Sequence, residues 1–218
     1  MSWFSGILSS SANKENQGTF RPVNRYNSNH RGCKLAKITQ STLNSGDVKS
    51  AVKLPPGENL NDWLAVNVVD FYNQLFCLFG PVADLCTQSS CPEMTAGPQF
   101  KYAWQDNKQY KKPTMLPANE YIANVMSWTE SYINNEKYFP SDPTASYPDS
   151  FLSIVEKIFQ RLFRIYAHIY HHHRQEINAI RAEGNLNTSF QHFIYFSKEF
   201  QLIPEDQLAP LKTIIDQL

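Results

Sequence analysis

The sequence is poor in several features that define whole classes of protein. It has only 8 glycines in 218 residues, no run of 18 apolar residues, and no excess of either charge, with 20 basic and 20 acidic residues. The missing run argues against a membrane-spanning helix, and the zero net charge removes any overall attraction to nucleic acid or anionic lipid. The start, MSWFSGILSS, lacks the charged region and the apolar length of a secretory signal. We therefore expect a soluble, intracellular protein.

The composition predicts one packed domain preceded by a tail. Hydrophobic residues make up 42% and aromatic residues 13% of the chain, which favours an aromatic-rich core over disorder. Residues 1–38 are rich in Ser, Asn, Lys and Arg and show no periodicity, so we predict a flexible polar and basic tail there. Residues 39–218 form the predicted domain.

Helical periodicity dominates that domain. Apolar residues recur at helical spacing from residue 60 to residue 79 and end at Gly80-Pro81. Further helices are predicted in ANEYIANVMSWTESYI, after YPDS, and through SFQHFIYFSKEF and LAPLKTIIDQL, while FKYAWQDNKQYKKP predicts a short hairpin around a polar turn. With no internal repeat and no alternation of strands and helices, the fold class is all-α: a helical bundle with a minor β-hairpin.

Two cysteines and a histidine cluster suggest a metal site. Cys86 and Cys91 stand in the polar loop sequence CTQSSCPE, and four of the six histidines lie within YAHIYHHH. Two thiolates and two imidazoles suit a tetrahedral Zn²⁺. The histidine pair stays open, because His168 and His172 share a helix face whereas His168 and His173 lie about 140° apart on a regular helix. The alternative is that the cysteines are small core residues and the histidines cap a helix.

An acidic stripe follows the first long helix. Asp62, Val66 and Asp70 lie at i, i+4 and i+8, next to Trp63 and just after Glu58. An acidic face with an exposed Trp and Val is typical of a docking site for a basic amphipathic helix. The alternative is a solvated acidic face with Trp63 buried in the core.

A basic stripe follows the longest helix. Lys157, Arg161 and Arg164 lie at i, i+4 and i+7, and Lys111 and Lys112 of the predicted hairpin could extend the patch. Three cations on one face can accept a phosphate, although a solvated basic face is the common alternative. We find no nucleophile beside a base and no phosphate-cradling glycine loop, so we expect no enzymatic activity.

The segments LPPGENLNDWLAVNVVDFYNQ, CPEMTAGP, YKKPTMLPA, RLFRIYAHIYHHH, LNTSFQHF and EFQLIPEDQLAPLKTIIDQL resemble the Mob (Mps-one-binder) family of kinase activators, in register from about residue 17 to residue 218. The sequence is most similar to the class that binds NDR and LATS type kinases. This resemblance implies a structural Zn²⁺ on Cys86, Cys91, His168 and His173, so that His171 and His172 are not ligands. A closed set of four protein ligands argues against a zinc hydrolase.

The resemblance also assigns roles to the two charged stripes. It implies a kinase-docking face formed by Glu58, Asp62, Trp63, Val66 and Asp70. It further implies phosphopeptide-binding arginines at Arg161 and Arg164, and phosphorylation at Thr19 and Thr42. Here Asp62 stands where Glu is common, Asn59 where Asp is common, and Gln160 where the family has lysine, a loss for which Lys157 could compensate.

The function implied by the resemblance is that of a non-catalytic adaptor and co-activator of an NDR/LATS-family Ser/Thr kinase, gated by phosphorylation. A phosphorylated upstream Ste20-like kinase or scaffold would be a second partner. We expect a monomer that binds no nucleic acid and acts in cell-cycle exit, cytokinesis and growth control. Its expected location is the cytoplasm, with the nucleus and the spindle poles or division site as alternatives. The alternative is a Mob-family scaffold of a phosphatase-associated complex, or a competitor that binds the kinase without activating it.

Overall fold

The computed structural model describes residues 30–43, 47–106 and 108–218, with the backbone alone for residues 40–43. The α-helices, in chain order, are α1 (Cys33–Leu43), α2 (Val48–Ala51), α3 (Leu60–Phe79), α4 (Ala118–Ile133), α5 (Phe151–His172), α6 (Arg174–Ala179), α7 (Glu183–Glu199) and α8 (Lys212–Ile215). Short 3-10 helices span Gly80–Val82 and Glu205–Leu211. The all-α fold class is confirmed, and no helix in the described ranges is long and apolar enough to cross a membrane.

Two small antiparallel sheets interrupt the helices. The first pairs β1 (Thr95–Ala96) with β2 (Phe100–Lys101), and the second pairs β3 (Ala103–Trp104) with β4 (Thr114–Met115). The second encloses the polar turn of the predicted hairpin, although its strand β4 lies just after the predicted segment and Phe100 pairs with β1 instead. The first follows from Gly97, whose φ of +68° allows the tight reversal that a residue with a side chain rarely adopts.

The core lies where α3 crosses α5 and α7. Phe71 of α3 lies at its centre, with ring centroids 5.5 Å from Phe159, 5.3 Å from Phe193 and 5.4 Å from Phe196. All four rings are buried, and edge-on packing of this kind stabilises a core beyond the area it buries. The high aromatic content is therefore used to join these three helices.

The N-terminus of α3 is capped by a side chain. Asn59 Oδ1 accepts hydrogen bonds from the backbone N–H of Asn61 at 2.9 Å and of Asp62 at 3.2 Å. Asn and Asp cap helices about equally well. The asparagine at position 59 therefore keeps the helix start intact, which fixes the position of the acidic residues that follow.

The first described helix crosses the proposed boundary between tail and domain at residues 38 and 39. Residues 33–38 are helical, and Leu35 and Ala36 are buried against the core. Burial of apolar side chains against the core stabilises a helix even where the helix propensity of its sequence is too low to do so. The segment was assigned to the tail because its polar residues hide a short apolar face.

The last predicted helix differs from the expectation. Residues 205–211 form a 3-10 helix with Pro210 inside it, and only Lys212–Ile215 is α-helical. Proline has no N–H to donate and clashes with the preceding turn of an α-helix. The tighter turns in this segment bring Pro210 close to the end of α5.

Candidate functional site: a Cys2His2 cluster and two charged helix faces

Cys86, Cys91, His168 and His173 form one buried cluster. Their donor atoms all lie within 4.8 Å of one another. Cys86 Sγ lies 3.5 Å from His168 Nε2, and Cys91 Sγ lies 3.6 Å from His173 Nε2. A tetrahedral zinc ion with ordinary Zn–S and Zn–N bonds places S and N about 3.5 Å apart. The donor set and its spacing therefore fit a four-coordinate metal ion.

A break between two helices brings His173 into the cluster. α5 ends at His172, and His173 has a φ of −129°, far from the helical value of about −63°, before α6 begins at Arg174. This is the distortion that the pair of His168 and His173 requires. On an unbroken helix the two rings would point in different directions.

The carbonyl of Thr95 fixes the tautomer of His168. His168 Nδ1 lies 2.8 Å from Thr95 O, so Nδ1 carries the proton and donates it, which leaves the Nε2 lone pair facing the cysteines. Burial lowers the pKa of His168 to about 3, so the ring is neutral at pH 7. Burial also raises the pKa of the Cys86 thiol, which stays protonated unless a cation draws off its proton.

The two neighbouring histidines hold the surrounding loops. His172 Nε2 lies 2.9 Å from Thr95 Oγ1, and His171 Nε2 lies 2.9 Å from Pro210 O. A Cβ at Gly97 would lie only 3.1 Å from His171 Nδ1, so glycine also allows this close approach. These two rings connect α5 to β1 and to the C-terminal 3-10 helix.

The acidic stripe on α3 is not the exposed face that one interpretation of the sequence predicted. Trp63 is 1% and Val66 2% exposed, so the prediction of an exposed Trp and Val is wrong. Trp63 Nε1 donates to Val52 O at 3.1 Å and its ring packs on Phe196. The alternative, with Trp63 in the core, describes the structure.

Two of the acidic residues already have cationic neighbours from the N-terminal segment. Arg31 Nε lies 2.6 Å from Asp62 Oδ1, and Lys34 forms an ion pair with Glu58. Tyr147 also donates to Asp62 Oδ1 at 2.8 Å. Sequence reasoning missed Arg31 and Tyr147, because neither lies near Asp62 in the chain and no local signal marks them.

Asp70 differs from the other acids. It lies half-buried and accepts a hydrogen bond from Gln74 Nε2 at 2.6 Å, and no lysine or arginine of the described ranges pairs with it. Burial raises its pKa to about 6, against the weaker lowering effect of Gln74. The Gln74 amide is held in turn by Ser189 of α7, whose hydroxyl donates to Gln74 Oε1 at 2.7 Å.

The basic stripe on α5 contains two arginines held by aromatic rings. The Arg161 guanidinium lies 4.2 Å from the ring centroid of Trp104 and 4.0 Å from that of Trp128, and its Nη2 donates to Gln105 O at 3.0 Å. Its Nη1 is buried with no partner in the described ranges. Arg164 Nη1 donates to the Tyr121 hydroxyl at 2.7 Å, and its guanidinium lies over the Tyr102 ring.

The remaining predicted site residues lie apart from these contacts. Lys157, Lys111 and Lys112 are exposed. Thr19 lies outside the described residues, and Thr42 lies in the last turn of α1, where only the backbone is described. From the sequence alone, Trp104 and Trp128 would be predicted only as core residues. Nothing in it indicates that they contact Arg161.

The described domain thus combines a buried Cys2His2 cluster with an acidic stripe on α3 and a basic stripe on α5. Residues 40–211 match the model of the Mob1/phocein family. "MOB kinase activator-like 1B" of Arabidopsis thaliana is 48% identical over 203 residues, which cover 93% of this chain and 94% of that protein. "MOB kinase activator 3A" of Homo sapiens is 46% identical over 195 residues, with 89% and 90% covered. The chain belongs to the Mob1/phocein family.

Proposed function

We propose that this protein is a non-catalytic adaptor and co-activator that docks the N-terminal regulatory region of an NDR/LATS-type Ser/Thr kinase through the acidic residues of α3. Asp70 carries the proposal, because it is a half-buried carboxylate without a cationic partner in the described ranges. A cation brought to such a carboxylate stabilises its charged form. The kinase part draws support from the relatives, which are named as kinase activators.

The contacts of Arg31 and Lys34 favour a gated form of this docking. A basic kinase segment has to compete with these two residues for Asp62 and Glu58. A phosphate on Thr42, in the last turn of α1, would meet the partial negative charge of the helix C-terminus and weaken that turn. Phosphates on Thr42 and Thr19 would also add negative charge to the segment that carries Arg31 and Lys34, and repulsion from the acidic residues would favour the release of Asp62 and Glu58 for the kinase.

Calorimetric titration tests the proposal. The probe is a synthetic peptide from the N-terminal regulatory region of an NDR/LATS-type kinase, and the variants are Asp70→Asn, the double variant Thr19→Glu/Thr42→Glu, and the exposed control Asp149→Asn. We expect Asp70→Asn to weaken binding about tenfold or more, the Thr variants to strengthen it, and the control to leave it unchanged. A folded, metal-loaded protein that binds no peptide, even as the Thr double variant, would contradict the proposal.

The alternative family roles are separated by kinase activity. A protein that binds the peptide but leaves the activity of the full kinase unchanged is a non-activating competitor. A protein that binds neither and instead retains a phosphatase subunit is the scaffold of a phosphatase-associated complex. Both measurements use the same protein preparation.

We further propose that the cluster of Cys86, Cys91, His168 and His173 holds a structural Zn²⁺. Two thiolates and two imidazoles fill a tetrahedral shell, so no water is left in the shell to be activated. Zinc would join the loop after α3 to the end of α5. Metal analysis of the purified protein, with an expected ratio of one zinc per chain, tests this assignment.

A second binding function is supported by the buried Nη1 of Arg161. A guanidinium held between two tryptophans has lost hydration, and its Nη1 has no partner in the described ranges. Phosphate oxygens would satisfy it, with Arg164 one turn away and Lys157 one turn before. We infer that this face binds a phosphopeptide of an upstream Ste20-like kinase or scaffold. A phosphorylated peptide should bind more tightly than its unphosphorylated copy, and Arg161→Ala should remove the difference.

A further inference from the structure

A cavity of about 200 Å³ lies beside the phosphate-binding face described above and shares Arg164 with it. Its lining combines an apolar floor with a polar rim: Phe100, Tyr102, Phe163, Pro210, Gln160, Gln207, Asp206 and Arg164. One water molecule needs only about 10–15 Å³ by the same measure, so the cavity is many times larger than a single-water site. This is enough for one long side chain.

The floor favours the apolar part of such a side chain. Phe163 is buried, and Phe100 and Tyr102 are half-buried rings that line the cavity together with Pro210. The methylene groups of a lysine or arginine lie favourably along surfaces of this kind while the charged end remains at the rim. Acidic side chains have too short an apolar part to use this floor.

The rim determines the charge of the occupant. Asp206 is exposed, and its carboxylate has no hydrogen-bond or ion-pair partner in the described ranges. Glu205, the neighbouring acid, adds negative charge to the same 3-10 helix. The one cation of the rim, Arg164, is directed at the Tyr121 hydroxyl and the Tyr102 ring instead. Gln160 contributes a neutral amide where a lysine would repel a positive ligand.

One of the residues that line the cavity carries an unpaired hydroxyl. The Tyr102 hydroxyl is buried and has no partner among the described residues. Buried polar groups are normally hydrogen-bonded, and an unpaired one often marks the place of a ligand or a water molecule. Tyr102 lines the cavity and its ring also contacts the Arg164 guanidinium, so this residue borders both the cavity and the phosphate-binding face.

We propose that this cavity receives an arginine or lysine side chain that flanks the phosphorylated residue of the bound peptide, with the cationic end on Asp206. The proposal rests on the phosphopeptide function inferred above and adds a specificity to it. The protein would select phosphopeptides that carry one basic residue close to the phosphate. It would discriminate against peptides with an acidic residue at that position.

A panel of fluorescent heptapeptides tests the specificity. Each peptide carries a central phosphothreonine in an alanine background, with Arg, Leu or Glu at one flanking position, and an unphosphorylated set serves as the baseline. We expect Arg to be preferred at one position by about two- to fivefold over Leu, the range of an exposed ion pair, with Glu binding more weakly than Leu.

Three variants locate the effect. Asp206→Asn should remove the Arg preference, and Glu205→Gln, the adjacent acid outside the cavity lining, should keep it. Gln160→Lys should lower the Arg preference by adding a positive charge to the rim. Phosphate-dependent binding with no preference, or a preference that Asp206→Asn leaves unchanged, overturns this proposal alone. Equal binding of phosphorylated and unphosphorylated peptides overturns the phosphopeptide function as well.

Discussion

The Cys2His2 cluster and the acidic side of α3 differ in what surrounds their functional groups. The cluster is closed by its own members, since Cys86, Cys91, His168 and His173 contact one another and are buried. The acids of α3 are instead covered by residues from distant parts of the chain, such as Arg31 and Tyr147. A buried site can be recognised from its residue types, whereas a surface site also depends on what packs over it.

The largest expected effect concerns the cluster. Cys91→Ser should lower the free energy of unfolding on the order of several kcal/mol, because metal-binding free energy is part of the folding free energy of such a site. Cys77→Ser, at an exposed free cysteine, is the matched control and should be neutral. Thermal unfolding with metal analysis measures both. A Cys91→Ser protein that has lost its metal but melts at the wild-type temperature would contradict the structural role.

Much of the fold was predictable because its signals are local. The long helices follow from apolar residues at helical spacing, and Gly80-Pro81 marks the end of α3. The pairing of β1 with β2 was missed because strands of two residues have no periodicity. The 3-10 geometry of residues 205–211 was missed because its apolar spacing resembles that of an α-helix.

The candidate sites were also predictable only where their signals are local in the sequence. Residue chemistry predicted Cys86, Cys91 and His168, but helix geometry could not choose His173 over His172, because His173 lies at the break after α5. The resemblance to the Mob family implied His173. The spacing of Asp62, Val66 and Asp70 placed them on one helix side. It could not show that Arg31, 31 positions from Asp62 in the chain, packs over that side.

A large effect is also expected at Trp63, where the experiment tests whether this residue belongs to the core or to the docking surface. Trp63→Ala should cost about 3–5 kcal/mol of unfolding free energy, because the side chain is buried and its Nε1–H is hydrogen-bonded. Trp63→Phe should cost less, since it keeps most of the buried ring. Urea unfolding measures both variants. A fully stable Trp63→Ala protein with weakened kinase-peptide binding would instead place Trp63 on the docking surface.

A moderate and pH-dependent effect is expected at Asp70. Its folded-state pKa of about 6 lies above the ordinary 3.8, so the protonated form is favoured in the folded protein. The wild type should therefore lose stability as the pH rises from about 4 through 6. Asp70→Asn should be more stable at pH 7 by about 1–3 kcal/mol, and the difference should vanish near pH 4.

Thermal unfolding of the wild type and Asp70→Asn across this pH range measures that difference. Asp149→Asn, an exposed acid, should melt like the wild type throughout. If Asp70→Asn is more stable than the wild type but binds the kinase peptide more weakly, then Asp70 serves binding and destabilises the folded protein. A difference that does not change with pH would mean that burial does not raise the pKa of the Asp70 carboxyl.

The smallest effect separates the two cations that cover the acids. The Lys34 side chain is 73% exposed, whereas that of Arg31 is 11% exposed. Lys34→Ala should therefore change the stability by less than about 0.5 kcal/mol, yet raise the affinity for a basic kinase peptide a few-fold by freeing Glu58. Arg31→Ala should raise the affinity too but also destabilise the protein, because Arg31 Nη1 donates to Ala145 O at 2.6 Å. Titrations at low and high salt measure the change. An unaltered affinity in both variants would mean that these contacts do not gate the acidic side of α3, and that whatever controls docking lies elsewhere in the chain.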